Sequence, residues 1–194
     1  MNRPHPDCPT DCPGTAERGV DRHEPGTGER LNRLRAAVLG ANDGIVSTAA
    51  VVVGVAGATS DQTTIAMSGL AAVIGGAVSM ALGEYVSVSS QRDSERAMGL
   101  VEEMQVNPWS AAIASFLSFL LGAALPFATA LLAPASWRIA AIFVLTLVAL
   151  ALTGALSAKL GEAPVARSVT RIVVGGTIAL AATFAIGSLF GANV

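Results

Sequence analysis

Apolar residues in this chain fall into five long runs, at about 36–58, 63–90, 108–133, 137–158 and 168–190, separated by short polar joints. At about 1.5 Å per residue each run is long enough to cross a hydrocarbon core of about 30 Å. None of them interleaves polar residues at the helical period, as a helix with one face in water would. The pattern therefore predicts an all-α, polytopic integral membrane protein with five transmembrane helices. Local chemistry marks the joints. Asn107 before Pro108 puts a capping side chain ahead of a proline at the first helical position, and Pro134 with Ser136 divides the third run from the fourth. Trp109 and Trp137 then fall at opposite interfaces, where indole rings prefer to sit, and Pro126 predicts a kink inside the third run.

Composition agrees. Charged residues make up 13% of the chain and hydrophobic residues 52%, with a mean hydropathy of +0.58, whereas a globular domain carries about a quarter charged residues. The charges concentrate in the joints and at the amino-terminal end. That end also holds both cysteines, both histidines and several prolines, so residues 1–34 read as a disordered cytoplasmic tail ahead of a membrane domain over 35–194. The tail has no apolar core of its own to serve as a signal peptide, which leaves targeting to the first span. Cys8 and Cys12 form a Cys-x3-Cys beside His5. Without a second pair this falls short of a zinc site and reads as a reduced pair in the tail.

Basic residues near helix ends are retained on the cytoplasmic side. Six arginines precede the first span, Arg92 and Arg96 follow the second, and Lys159, Arg167 and Arg171 flank the fourth-to-fifth joint, while Arg138 alone falls on the other side. The asymmetry predicts a cytoplasmic amino terminus and an external Val194, in a multi-pass protein of the cell membrane.

Two carboxylates occur within the spans, Asp43 in the first and Glu84 in the second. An ionisable group there is costly unless it has a partner or serves a pathway. Asp43 lies eight residues inward from Arg35 and Glu84 eight residues inward from Arg92. Both are therefore expected about 12 Å from the same boundary, as neighbours on antiparallel helices. Each belongs to a stripe of mostly small residues: Gly40, Asp43, Gly44, Ser47, Val51 and Gly54 on the first helix, and Gly69, Val73, Gly76, Met80, Glu84 and Ser87 on the second. Such stripes let helices approach closely. Met80 is expected one turn deeper than Glu84, so two oxygen donors followed by a thioether would suit a borderline divalent cation such as Fe(II), with manganese, cobalt or zinc as rivals. The plainer readings are protonated carboxylates acting as hydrogen-bonding glue and a methionine that only packs. Two carboxylates at one depth in a low-dielectric path do not both stay ionised without a cation between them, so metal and protons would compete for the pair.

The segments RAAVLGANDGIVSTAAVVVGVAG (Arg35 to Gly57) and GGAVSMALGEYVSVSSQRDSERA (Gly75 to Ala97) resemble the vacuolar iron transporter family. The Asn107-Pro108-Trp109 start of the third span and the GALSAKLGEAPVARSVTRIVVGG joint (Gly154 to Gly176) resemble it too, so the likeness runs from about Arg30 to the end. It implies a five-helix homodimer that exports Fe(II) or Mn(II) from the cytosol in exchange for protons, with transport residues carried over to Asp43, Met80 and Glu84 and no resident cofactor. One departure stands out. Family members of the best-described type insert a three-helix metal-binding region between the second and third spans, whereas Gln91 to Val106 here leaves room for a short helical extension at most, as in nodulin-like members. Its Glu95, Glu102 and Glu103 read either as a remnant cytoplasmic entry site for metal or as a solvated acidic helix end.

An enzyme is not expected: no histidine lies in or near a span, no His-Glu-x-x-His occurs, and no serine is paired with a base. Expected partners are the lipid bilayer, a divalent ion, protons and a second copy, with no nucleic acid. The alternatives are a non-transporting membrane scaffold, to which the many small residues are equally suited, and a proton-linked carrier of another cation. The charge asymmetry predicts that a cysteine placed at Val194 reacts with an impermeant maleimide added outside intact cells, while the amino terminus does not. The reverse pattern would overturn the topology.

Overall fold

The computed structural model of the chain describes residues 27–100 and 105–192. Five helices account for nearly all of them: α1 (Thr27–Ala58), α2 (Gln62–Ala97), α3 (Pro108–Leu132), α4 (Arg138–Leu160) and α5 (Val165–Gly191). All five are long and apolar enough to cross a membrane, and no strand occurs among the described residues. This is a five-span membrane protein, and each predicted run lies on its own helix. Cys8, Cys12, Glu102, Glu103 and Val194 lie outside the described residues.

Three boundaries differ from expectation or sharpen it. α1 begins at Thr27, inside the stretch read as tail, because Leu31, Leu34 and Val38 continue the apolar face of the span backwards by about two turns. α2, at 36 residues and about 54 Å, is much longer than a hydrocarbon core and carries on to Ala97 as the short extension allowed for that joint. α3 starts as its signal predicts: the Asn107 side chain accepts hydrogen bonds from the backbone N–H groups of Trp109 and Ser110, with Pro108 at the first helical position.

α1 is the central helix. It touches all four others and packs most extensively on α3. Lipid tails are as apolar as leucine, so helices in a membrane are held by close packing rather than by a hydrophobic force between them, and glycine is what allows the approach. A Cβ at Gly40, Gly44 or Gly122 would run into the backbone carbonyl of Ser115, Phe119 or Ala41 respectively, so α1 and α3 lie backbone against backbone. A Cβ at Gly187 would likewise meet the Gly54 carbonyl, which sets α5 against the other half of α1. The buried cluster of Ala49, Val52, Val53, Ile65, Ala130, Ile142 and Leu180 fills the junction of all five helices.

Polar clasps close the bundle at both ends. At the turn between α1 and α2, Arg138 is buried and donates to the Gln62 side-chain oxygen, while the Gln62 amide nitrogen donates to the carbonyls of Leu131 (3.2 Å) and Ala130 (3.4 Å). The starts of α2 and α4 are thus tied to the end of α3. At the opposite, basic end, Glu95 accepts from the Gln91 side chain (2.9 Å) and from the backbone N–H of Val106 (3.0 Å), holding the α2 extension to the entry of α3. Tyr85 and Trp109 pack nearby as a tilted pair with ring centroids 4.8 Å apart.

Two predictions follow from packing and capping. Gly122→Ala forces a methyl group onto the α1 backbone and should destabilise the bundle by about 1–3 kcal/mol, whereas Gly175→Ala, with open space around it, should be neutral or slightly stabilising. Melting followed by tryptophan fluorescence in detergent separates the two. The second concerns Asp61, whose carboxylate caps α2 by accepting from the Thr64 hydroxyl (2.6 Å) and the Thr64 N–H (2.7 Å). Those hydrogen bonds hold its pKa below the ordinary carboxylate value. Its stabilisation is therefore complete above the unfolded pKa and lost as pH falls through the lower folded value. Asp61→Ala should lower the melting temperature at neutral pH and make its decline in acid shallower than in the wild type.

Candidate functional site

Between α1 and α2 a cavity of about 430 Å³ opens along the membrane-spanning part of the bundle. Its lining from α1 is Leu39, Asp43, Ser47 and Val51, and from α2 Ala72, Gly76, Ser79, Met80, Gly83 and Glu84. The three residues singled out from the sequence, Asp43, Met80 and Glu84, thus line one cavity.

Their depths differ from expectation. Contacts on either side of the cavity set the antiparallel register: Gly69 faces Val52, and Ala36 clusters with Val88. In that register Asp43 lies level with Met80, and Glu84 lies level with Leu39, one turn or about 6 Å nearer the basic end. The equal depth inferred for the two carboxylates used Arg35 and Arg92 as marks of one boundary, and they are not equivalent. Arg92 sits on the α2 extension, where its Nε donates to Gln105 (3.3 Å), while Arg35 turns back into the bundle.

Glu84 is almost fully buried, with its side chain 6% exposed, and its Oε2 accepts from the Arg35 guanidinium at 3.0 Å. The same Arg35 nitrogen donates to Asn32 Oδ1 at 3.2 Å. Arg35 and Asn32 are residues that the sequence did not single out. A signal existed, since an unpaired buried carboxylate demands a cation and Arg35 stands one turn from Leu39 on the facing helix, but it becomes readable only once the register is known. Asp43 differs from Glu84. Its side chain is exposed to the surroundings of a single chain, and its backbone carbonyl accepts from the Ser47 hydroxyl at 2.6 Å. The adjacent Asn42 points the other way and accepts from the Thr153 hydroxyl at 2.7 Å, tying α1 to α4.

The small-residue stripes also divide. Gly40 and Gly44, grouped with Asp43 in the sequence, pack α1 on α3, while Asp43, about 100° around the helix from Gly44, and Ser47 border the cavity. Gly76 borders the cavity but faces the Phe119 ring of α3. Among the described residues no three His, Cys, Asp or Glu side chains converge. Two carboxylates, a thioether and the Ser47 and Ser79 hydroxyls are the donors that one chain offers. Of the acidic entry group, Glu95 spends both carboxylate oxygens on Gln91 and Val106, as described above.

Comparison with known proteins identifies the family. The VIT family profile matches residues 34–106 and 95–188, two stretches that overlap in the short joint after α2. The chain is 44% identical over 173 residues to vacuolar iron transporter homolog 1 of Arabidopsis thaliana, covering 85% of this chain and 86% of that one. It is 43% identical over 194 residues to vacuolar iron transporter homolog 1 of Oryza sativa subsp. japonica, covering 90% and 84%, and 44% identical to homolog 5 of the same plant over 84% and 83%. With a profile match across both cavity-lining helices and relatives aligned over most of their length, the chain belongs to the VIT family.

Proposed function

We propose that this protein carries a divalent metal ion, Fe(II) or Mn(II), out of the cytoplasm across the cell membrane in exchange for protons, working as a homodimer. The observation that carries the reading is the placement of Asp43, Met80 and Glu84 on one cavity between two membrane-spanning helices. Iron in the names of the relatives supports the metal class. The mixed oxygen and sulfur donors suit a borderline cation better than calcium or magnesium, which favour oxygen alone.

The mouth of the path is the basic end, cytoplasmic by the distribution of Lys and Arg. Glu95 lies on the α2 extension at that end, and the acidic residues of the joint would raise the local concentration of cations. An ion entering there meets Glu84 first and then, one turn deeper, Asp43 and Met80 together. Protons arriving from the far side neutralise the carboxylates after the metal has left and reset the site, since an ionised carboxylate without a cation is costly at that depth.

The homodimer rests on Asp43. A carboxylate exposed on a single chain at mid-helix would face lipid, at a cost that a covering surface removes. A second copy seated on the α1–α2 face would cover the cavity and double its donor set, giving two carboxylates and two thioethers at one level. One chain alone supplies a single carboxylate and a single thioether at that level.

The test is uptake into liposomes, with one dye for internal metal and one for internal pH. Asp43→Asn and Glu84→Gln each keep size and remove the charge. Each should lower metal uptake and the accompanying proton flux by more than about tenfold, the loss implied by one charge-assisted contact of about 1.5–3 kcal/mol. Native mass measurement should still show the dimer. Met80→Leu preserves volume and should change the ranking of Fe(II), Mn(II), Co(II) and Zn(II) rather than assembly. Wild-type rates in both carboxylate variants would make the pair structural glue, and absence of uptake by the wild type would leave a membrane scaffold.

A further inference from the structure

Arg35 stands between two cavities. On one side it holds Glu84, which lines the α1–α2 cavity. On the other it lines a cleft of about 520 Å³ against α4 and α5, with Asn42, Ser157, Ser168 and Arg171 among its neighbours. The two members of the pair are unequally placed. Glu84 is 6% exposed and depends on a partner for its charge, while the Arg35 side chain is 52% exposed and can leave at little cost, because an exposed guanidinium keeps most of its hydration. The departing side chain has room in the cleft, where the like charge of Arg171 opposes a long stay.

We infer that Arg35 is a tethered resident cation of the transport site: it occupies Glu84 when no metal is bound, withdraws into the α4–α5 cleft when a divalent ion arrives, and so excludes monovalent cations. This rests on the transport reading of the cavity. The selection follows from charge. A potassium or sodium ion reaching Glu84 would replace one positive charge by another and would lose the two-point contact that Arg35 keeps through Asn32. A divalent ion brings a second charge that Asp43, one turn further along the same cavity, can share. Displacement is therefore favourable for M²⁺ and unfavourable for M⁺. Arg35 acts through Glu84 and is a positioning residue, so its removal should tighten metal binding rather than abolish it.

Mn(II) titration of the purified full-length protein in detergent, in potassium buffer and in choline buffer, tests this. The wild type should bind Mn(II) with the same Kd in both. Arg35→Gln should bind up to about fivefold more tightly in choline, the Coulombic competition of one half-exposed ion pair, and should lose much of that gain in potassium. Arg35→Lys should restore the indifference to potassium. Asn32→Ala, which removes the second anchor of Arg35 and leaves Glu84 paired, should tighten binding in the same direction by a smaller factor, and it serves if Arg35→Gln fails to fold. An Arg35→Gln or Asn32→Ala protein with a lower melting temperature but a wild-type Kd in both buffers would show a purely structural clasp and overturn the inference. The Glu84→Gln variant separates the two readings. If it binds Mn(II) as tightly as the wild type, the metal site itself is refuted and the resident cation with it. If it binds weakly while Arg35→Gln is unchanged from the wild type, the resident cation alone is refuted.

Discussion

With no hydrophobic force acting between helices in lipid, α1 is held in this bundle by the contacts its glycines permit. Gly40 and Gly44 bring it onto the backbone of α3 together with Gly122, and Gly54 with Gly187 brings its other half onto α5. These contacts consume two sides of the helix. The side carrying Asp43, Ser47 and Val51 has no such partner, and there α1 and α2 stand far enough apart to leave a cavity. The opening is thus a consequence of where close packing was possible. Filling the glycine positions would not only loosen α3 and α5 but would also move the helix that positions Asp43.

Charge at membrane depth is the second constraint, and the two ends of the bundle meet it differently. At the Trp137 end, Arg138 is buried against a neutral amide, Gln62, which in turn spends its own hydrogens on carbonyls at the end of α3. The amide and the negative end of the α3 dipole both favour the guanidinium, and the arrangement has no exchangeable charge. At the basic end, Arg35 meets a carboxylate, Glu84, that is itself part of the cavity lining. The first pairing is a fixed clasp. The second leaves a half-exposed cation on a buried anion.

The register of α1 against α2 gives the cavity a direction. Glu84 comes first from the basic end, and Asp43 and Met80 follow together about one turn on. The short joint after α2 lies at the same, basic end. Glu95, the described member of its acidic group, is tied to Gln91 and to the Val106 amide and shapes the α2–α3 connection.

Much of this was determined by the sequence alone. Five apolar runs without amphipathic period become five helices, because each must satisfy its own backbone hydrogen bonds in a solvent that offers none. The Asn107-Pro108 start of α3 was legible because capping is a local interaction, and Asp43, Met80 and Glu84 stood out because charge and sulfur are conspicuous in an apolar run. Only the tertiary structure decided which faces meet. Gly40 and Asp43 are three residues apart and share a stripe on paper, yet one packs on α3 and the other opens into the cavity. The depth of Glu84 could not be counted from Arg92, because α2 is longer than a hydrocarbon core, and Arg35 pairs with a residue 49 positions away in the chain. Helix formation and capping are governed by neighbours within about four residues, whereas register and ion pairing are settled by the packing of helices whose surfaces, in lipid, are nearly alike.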